Sequence, residues 1–134
     1  MSPAAYDSDD VARSLSAVRR ACLALPEVTE RLSHGSPTFF IRAQKSFVMF
    51  LDNHHSDGRL ALWCAAPEGV QAEMVETEPD RFFRPPYVGH RGWLGVYLLE
   101  VDGDELSAIV VDAYRTVAPR KLLARLELEG SSAD

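Results

Sequence analysis

The run Thr38-Phe-Phe-Ile-Arg-Ala-Gln-Lys-Ser-Phe-Val-Met-Phe-Leu51 decides how this chain folds. Residues 38–42 and 47–51 are dense in β-branched and aromatic side chains, and the polar tetrad Ala43-Gln-Lys-Ser46 separates them. Two such runs joined by a short polar link read as an antiparallel hairpin. Downstream, Asn53-His-His-Ser-Asp-Gly58 marks a second turn, with Asp57-Gly58 supplying the positive φ that tight turns need. Residues 59–64 return as a third strand. Upstream, residues 30–34 read as a short strand stopped by Gly35-Ser-Pro37.

Away from this sheet the apolar period lengthens. Val11, Leu15, Val18, Cys22 and Leu25 form one stripe of an amphipathic helix. Ser8 is positioned to cap it, Asp9 and Asp10 suit its positive end, and Pro26 stops it. Beyond the third strand, Pro67 fits the first turn of a short helix carrying Val70, Met74 and Val75, which ends before Pro79. The segment Pro79-Asp-Arg-Phe-Phe-Arg-Pro-Pro-Tyr-Val-Gly-His-Arg-Gly-Trp93 then leads into a strand over 93–100. Asp102-Gly-Asp104 turns the chain. Leu106, Ile109, Val110, Ala113, Tyr114 and Val117 predict a helix, and Pro119 opens a last one with Leu122, Leu123 and Leu126. Strands grouped ahead of helices predict an α+β fold: a two-layer sandwich whose antiparallel sheet is covered on one face by helices. The other sheet face is left for solvent or a partner. One domain over residues 8–126 is expected, with loose tails at 1–7 and 127–134.

At 134 residues the chain is large enough for one hydrophobic core without staples. Its 46% apolar and 25% charged content is that of an ordinary globular domain. No apolar run has membrane-spanning length, and Asp7, Asp9 and Asp10 stand where a signal peptide is basic, so a cytoplasmic location is expected. Cys22 and Cys64 sit in apolar patterns as buried thiols and predict neither a disulfide nor a zinc site. The net charge of -6 disfavours broad phosphate binding. Yet Arg81, Arg84, Arg91, Arg115, Arg120, Lys121 and Arg125 make up half of the 14 basic residues, and local clustering outweighs the sum.

Several ordered motifs carry a resemblance. They are Leu25-Pro26 with Glu30, Gly35-Ser-Pro-Thr-Phe39, Lys45 followed by Phe47, Tyr87-Val-Gly-His-Arg-Gly-Trp93, and Ala113-Tyr-Arg ahead of Ala118-Pro-Arg-Lys-Leu122. Over residues 9–126 the chain resembles the MmcQ/YjbR family of small bacterial proteins. The resemblance implies a frataxin-like (CyaY-like) sandwich and carries a DNA-binding label, with no catalytic set attached. Frataxin-like proteins bind iron along an acidic first helix. Here Asp7, Asp9 and Asp10 give way to Arg13, Arg19 and Arg20, so iron binding is not transferred and no metal or other cofactor is expected.

The candidate binding residues are Arg81, Arg84, Tyr87, His90, Arg91, Trp93, Arg115, Arg120 and Lys121. Trp93, between Gly92 and Gly95, is either a core ring or an exposed stacking platform. Tyr87 carries the same alternative. Phe82-Phe83 is expected to put one ring inward and one on the rim. His90 and Arg91 are either solvated or anion donors in a glycine-framed loop. Arg115, Arg120 and Lys121 either solvate their helices or join Arg81, Arg84 and Arg91 in a basic stripe. Adjacent His54 and His55 point to opposite sides of an extended chain, which makes a poor metal pair. His34-Gly-Ser-Pro lacks a nucleophile elbow, and no GxGxxG, GxxxxGK[ST] or HExxH pattern occurs. The expected function is a non-catalytic nucleic-acid (DNA) binding module. The alternatives are an adaptor that takes a small anion, a nucleotide or a protein on the 79–93 loop, and an enzyme built around His90.

Overall fold

Strand β2 (Ser36–Ile41) pairs antiparallel with β3 (Lys45–Asp52), as the hairpin reading requires. The structure, a computed structural model, describes residues 7–132; the tail positions 1–6, 133 and 134 lie outside the described residues. In chain order the other elements are α1 (Ser8–Leu23), β1 (Val28–Ser33), β4 (Leu60–Cys64), α2 (Val70–Thr77), β5 (Phe82–Phe83), β6 (Leu94–Tyr97), α3 (Gly103–Val117) and α4 (Arg120–Ser132). The strands form one antiparallel sheet in the order β1-β2-β3-β4-β6-β5. This is the α+β architecture the sequence predicts.

Local chemistry sets several boundaries. Asp7, rather than Ser8, caps α1, its carboxylate accepting from the Asp9 N–H at 2.8 Å. Asp102 and Glu105 form a reciprocal capping box that starts α3 where a simple turn was expected. The expected strand over 93–100 is shorter, because Leu98–Glu100 tightens into a 3₁₀ turn after Tyr97. Helix α4 continues through Ser132, past the point where a tail was expected. Residues Phe82 and Phe83 form a two-residue edge strand inside what reads as a proline-rich loop.

The period of two assigns the two sheet faces. Leu60, Leu62 and Cys64 share one face with their partners Phe50 and Val48, and α1 and α3 pack there. The register shift between Phe39 and Phe40 leaves Phe47 as an extra residue of β3. Phe47 turns toward α3, where its ring meets Tyr114 edge-on at 5.7 Å. The Tyr114 hydroxyl donates to the Pro26 carbonyl at 2.8 Å, tying α3 to the end of α1. The opposite face carries Thr38, Met49, Leu51, Ala61, Trp63, Gly95 and Phe83.

That opposite face is not open. Trp63 is 2% exposed, and Thr38, Leu51, Ala61 and Phe83 are buried. Side chains roof it: His54 and Tyr87 over Trp63, the Arg31 guanidinium 3.6 Å over Phe40, and the Arg59 guanidinium 4.0 Å over Phe83. The sequence leaves this face free because long polar side chains that fold down over a sheet have no periodic signature. Phe82 and Phe83 are both buried, on opposite faces, so neither ring occupies the rim.

Candidate anion-binding groove

The turn between β2 and β3 presents Arg42, Gln44 and Lys45 at one end of the sheet. Two further elements arrive beside it. The 3₁₀ turn Gly89–Arg91 places Arg91 there, and the last turn of α3 places Thr116 and Val117 there. Together Gln44, Lys45, Ser46, Arg91, Thr116 and Val117 line an open groove of about 440 Å³. A second concavity of about 260 Å³, lined by Ile41, Arg42, Gln44, Lys45, Val117 and Pro119, shares its wall. Neither lining contains a carboxylate. The donors are two guanidinium groups, an ammonium, an amide and the Ser46 hydroxyl; the Thr116 hydroxyl already donates to the Asp112 carbonyl at 2.7 Å.

Helix α2 holds Arg91 in place indirectly. The Gln71 side-chain amide donates to the Gly89 carbonyl at 2.8 Å and to the Trp93 carbonyl at 2.6 Å, which fixes both ends of the turn that bears Arg91. The Arg91 guanidinium lies 5.2 Å over the Trp93 ring. Among the described residues, Lys45 and Arg91 have no carboxylate partner, whereas Arg42 approaches Glu27 at 3.5 Å.

The structure sorts the sequence-derived candidates. Trp93 is 4% exposed within the core, so its ring is not a stacking platform. Arg81 is spent inside the fold: it pairs with Glu78 and Glu105 and donates to the Glu100 carbonyl. A side chain held by three partners is not available to a phosphate. Arg84 is exposed, its stem lying against Gly89. His90 is exposed, and Tyr87 is 68% exposed. Arg115 is exposed beside the groove-lining Thr116, and Arg120 and Lys121 are exposed directly after the lining Pro119. Of the loop cations, Arg91 lines the groove and Arg81 does not; Arg115, Arg120 and Lys121 are not among the lining residues. Sequence reading misses Lys45 and Arg42 as site residues. The only signal was the place of Lys45 in the family motif, since it lies 46 positions before Arg91 in the chain.

A second cluster lies on the roofed sheet face. The His54 and His55 rings stand 4.0 Å apart, and His54 meets Trp63 edge-on at 5.2 Å. Tyr87 reaches His54, His55 and Trp63 at 6.3, 6.1 and 6.4 Å. Burial and the neighbouring His55 push the His54 pKa below its usual value, against a smaller opposing pull from Asp57 and with His34 adding to the depression. Among the described residues no group of three or more His, Cys, Asp or Glu could hold a metal ion. No described helix is long and apolar enough to cross a membrane.

A family model for YjbR matches residues 23–116. The chain belongs to the YjbR family. The fold is shared with the crystal structure of the Deinococcus radiodurans protein DR2400, which carries the DUF419 domain: 15% identity over 84% of this chain and 87% of that one, with a TM-score of 0.66. No curated protein matches. The YjbR match contains Arg42, Lys45, Arg91 and Thr116 of the groove, and Trp63 with the three rings around it; Arg120 and Lys121 fall beyond it.

Proposed function

We propose that this YjbR domain is a non-catalytic binding module whose groove takes phosphates of a nucleic acid. The supporting observation is that Lys45 and Arg91, remote in sequence and free of carboxylate partners among the described residues, line one concavity with no acidic side chain. Such a groove concentrates positive potential locally although the chain carries a net charge of -6. Arg115, Arg120 and Lys121 extend it for a polymer. Binding of this kind is positional and driven by counterion release.

Fluorescent single- and double-stranded DNA titrated at low and physiological salt tests the proposal. Binding should weaken steeply with salt. The Lys45→Ala, Arg91→Ala double variant should flatten the duplex slope by about 0.9 per lost contact. Absence of binding at micromolar protein in low salt removes the proposal, because phosphate-driven affinity is greatest there.

The groove volume of about 440 Å³ also favours a second reading, a small anion or nucleotide, because ligand pockets span roughly 300–1,000 Å³. A thermal-shift screen of nucleotides and metabolites separates the two. A mononucleotide that stabilises the wild type but not the double variant, in a protein that ignores DNA, selects the small ligand.

A further inference from the structure

The indole N–H of Trp63 is buried and has no hydrogen-bond partner among the described residues. Buried donors are nearly always paired, so an orphan needs an explanation. The ring that carries it is the one roofed by His54 and Tyr87, and it lies in the middle of β4, in register with Met49 and Gly95. The roof comes from two separate loops. Both hold their backbone in the left-handed region at non-glycine residues: Asn53, His55 and Ser56 in one, Tyr87 in the other.

We infer that Trp63, His54, His55 and Tyr87 form a nucleobase-binding box. A planar heterocycle stacks on the Tyr87 ring as His54 swings aside to cover its other face. One of its ring-nitrogen or carbonyl acceptors then takes the Trp63 N–H. Three features favour a base over an aliphatic ligand. The walls are all aromatic or imidazole rings. The unmet group is a donor, which a base acceptor satisfies. Tyr87 already shows 68% of its surface, offering a first stacking face before His54 moves. The box uses none of the groove cations, although Tyr87 and Arg91 belong to the same loop. It deepens the nucleic-acid reading given above and rests on that reading for the identity of the ligand.

The test uses the full chain and the uncharged nucleosides adenosine, cytidine and uridine, which carry no phosphate for the groove to hold. The protein has two tryptophans, so proton–nitrogen NMR shows two indole N–H signals, and Trp63→Phe assigns them. A saturable shift of the Trp63 signal at millimolar nucleoside is expected. Tyr87→Ala and His54→Ala should weaken it about tenfold or more, the scale of losing one stacked ring. Tyr87→Phe should keep it, and dispersed amide spectra report that each variant is folded. Lys45→Ala with Arg91→Ala should leave nucleoside binding intact. No shift of the Trp63 signal, or a shift unchanged in folded Tyr87→Ala and His54→Ala, overturns the inference. Salt-dependent DNA binding that survives those two variants would then leave the groove standing alone. Nucleoside shifts without DNA binding would remove the groove and leave the box.

Discussion

A methyl group at position 95 would stand 2.5 Å from Cε2 of Phe83, inside the space its ring fills. Gly95 lies on β6 directly opposite Phe83, so the absent side chain is what lets the edge-strand ring lie flat on the sheet. The same ring packs on Tyr97 at 4.8 Å and beneath the Arg59 guanidinium. Gly95→Ala should therefore lower stability by about 1–3 kcal/mol through overpacking. Denaturant unfolding measures it. Gly95→Ala with Phe83→Leu should recover part of the loss, because the smaller side chain yields the space.

Arg81 and Arg91 should respond oppositely to truncation. Arg81→Met breaks the contacts with Glu78, Glu105 and the Glu100 carbonyl, at a cost of about 1–2 kcal/mol for a partly exposed cluster. DNA affinity should stay within error. Arg91→Met should leave the melting temperature nearly unchanged and weaken DNA binding. Measuring melting and affinity on the same samples checks the pair, and a large affinity loss in Arg81→Met would contradict the assignment.

The His54 environment gives a pH dependence of definite sign. Its pKa is lowered in the folded chain by burial and by His55. As pH falls through the ordinary histidine value of about 6.5, the unfolded chain takes up a proton that folded His54 resists. The folded state accordingly loses stability on acidification, starting near that value and continuing down to the lowered native pKa. His54→Gln should reduce the slope of stability between neutral and mildly acid pH. An NMR titration of His54 in the native protein should give a midpoint below that of an unfolded histidine, and His55→Asn should raise it.

Both thiols should be silent until the protein unfolds. Cys22 and Cys64 are buried, and burial pushes both upward, Cys64 to about 12. Thiolate is the reactive form, so an aromatic disulfide reagent should label neither in native buffer and both in denaturant. Rapid native labelling of either would contradict the packing of α1 and α3 on the sheet.

The hairpins were legible because a period of two punctuated by Gly, Asn and Asp has one structural meaning. The amphipathic stripes of α1 and α3 were legible for the same kind of reason. The bulge at Phe47 was not, since nothing in Ser46-Phe47-Val48 marks an extra residue. Trp93 was ambiguous because its flanking glycines suit both a loop platform and close core packing; the core won. The groove was invisible because Lys45 and Arg91 meet only through the sheet order. Extended-chain geometry separates the neighbouring His54 and His55 side chains, and only a turn relaxes that separation. The left-handed backbone of His55, φ 51, brings the two rings together instead.

The sheet ends in two unlike borders, β5 and β1. With two residues, β5 is too brief to template a foreign strand. The longer β1 carries adjacent charges at Glu30 and Arg31, and Glu30 is engaged by Arg19 from α1. An approaching chain would have to desolvate those charges before gaining ladder hydrogen bonds. The sheet is thus guarded against lateral growth into fibrils by brevity on one flank and by charge on the other.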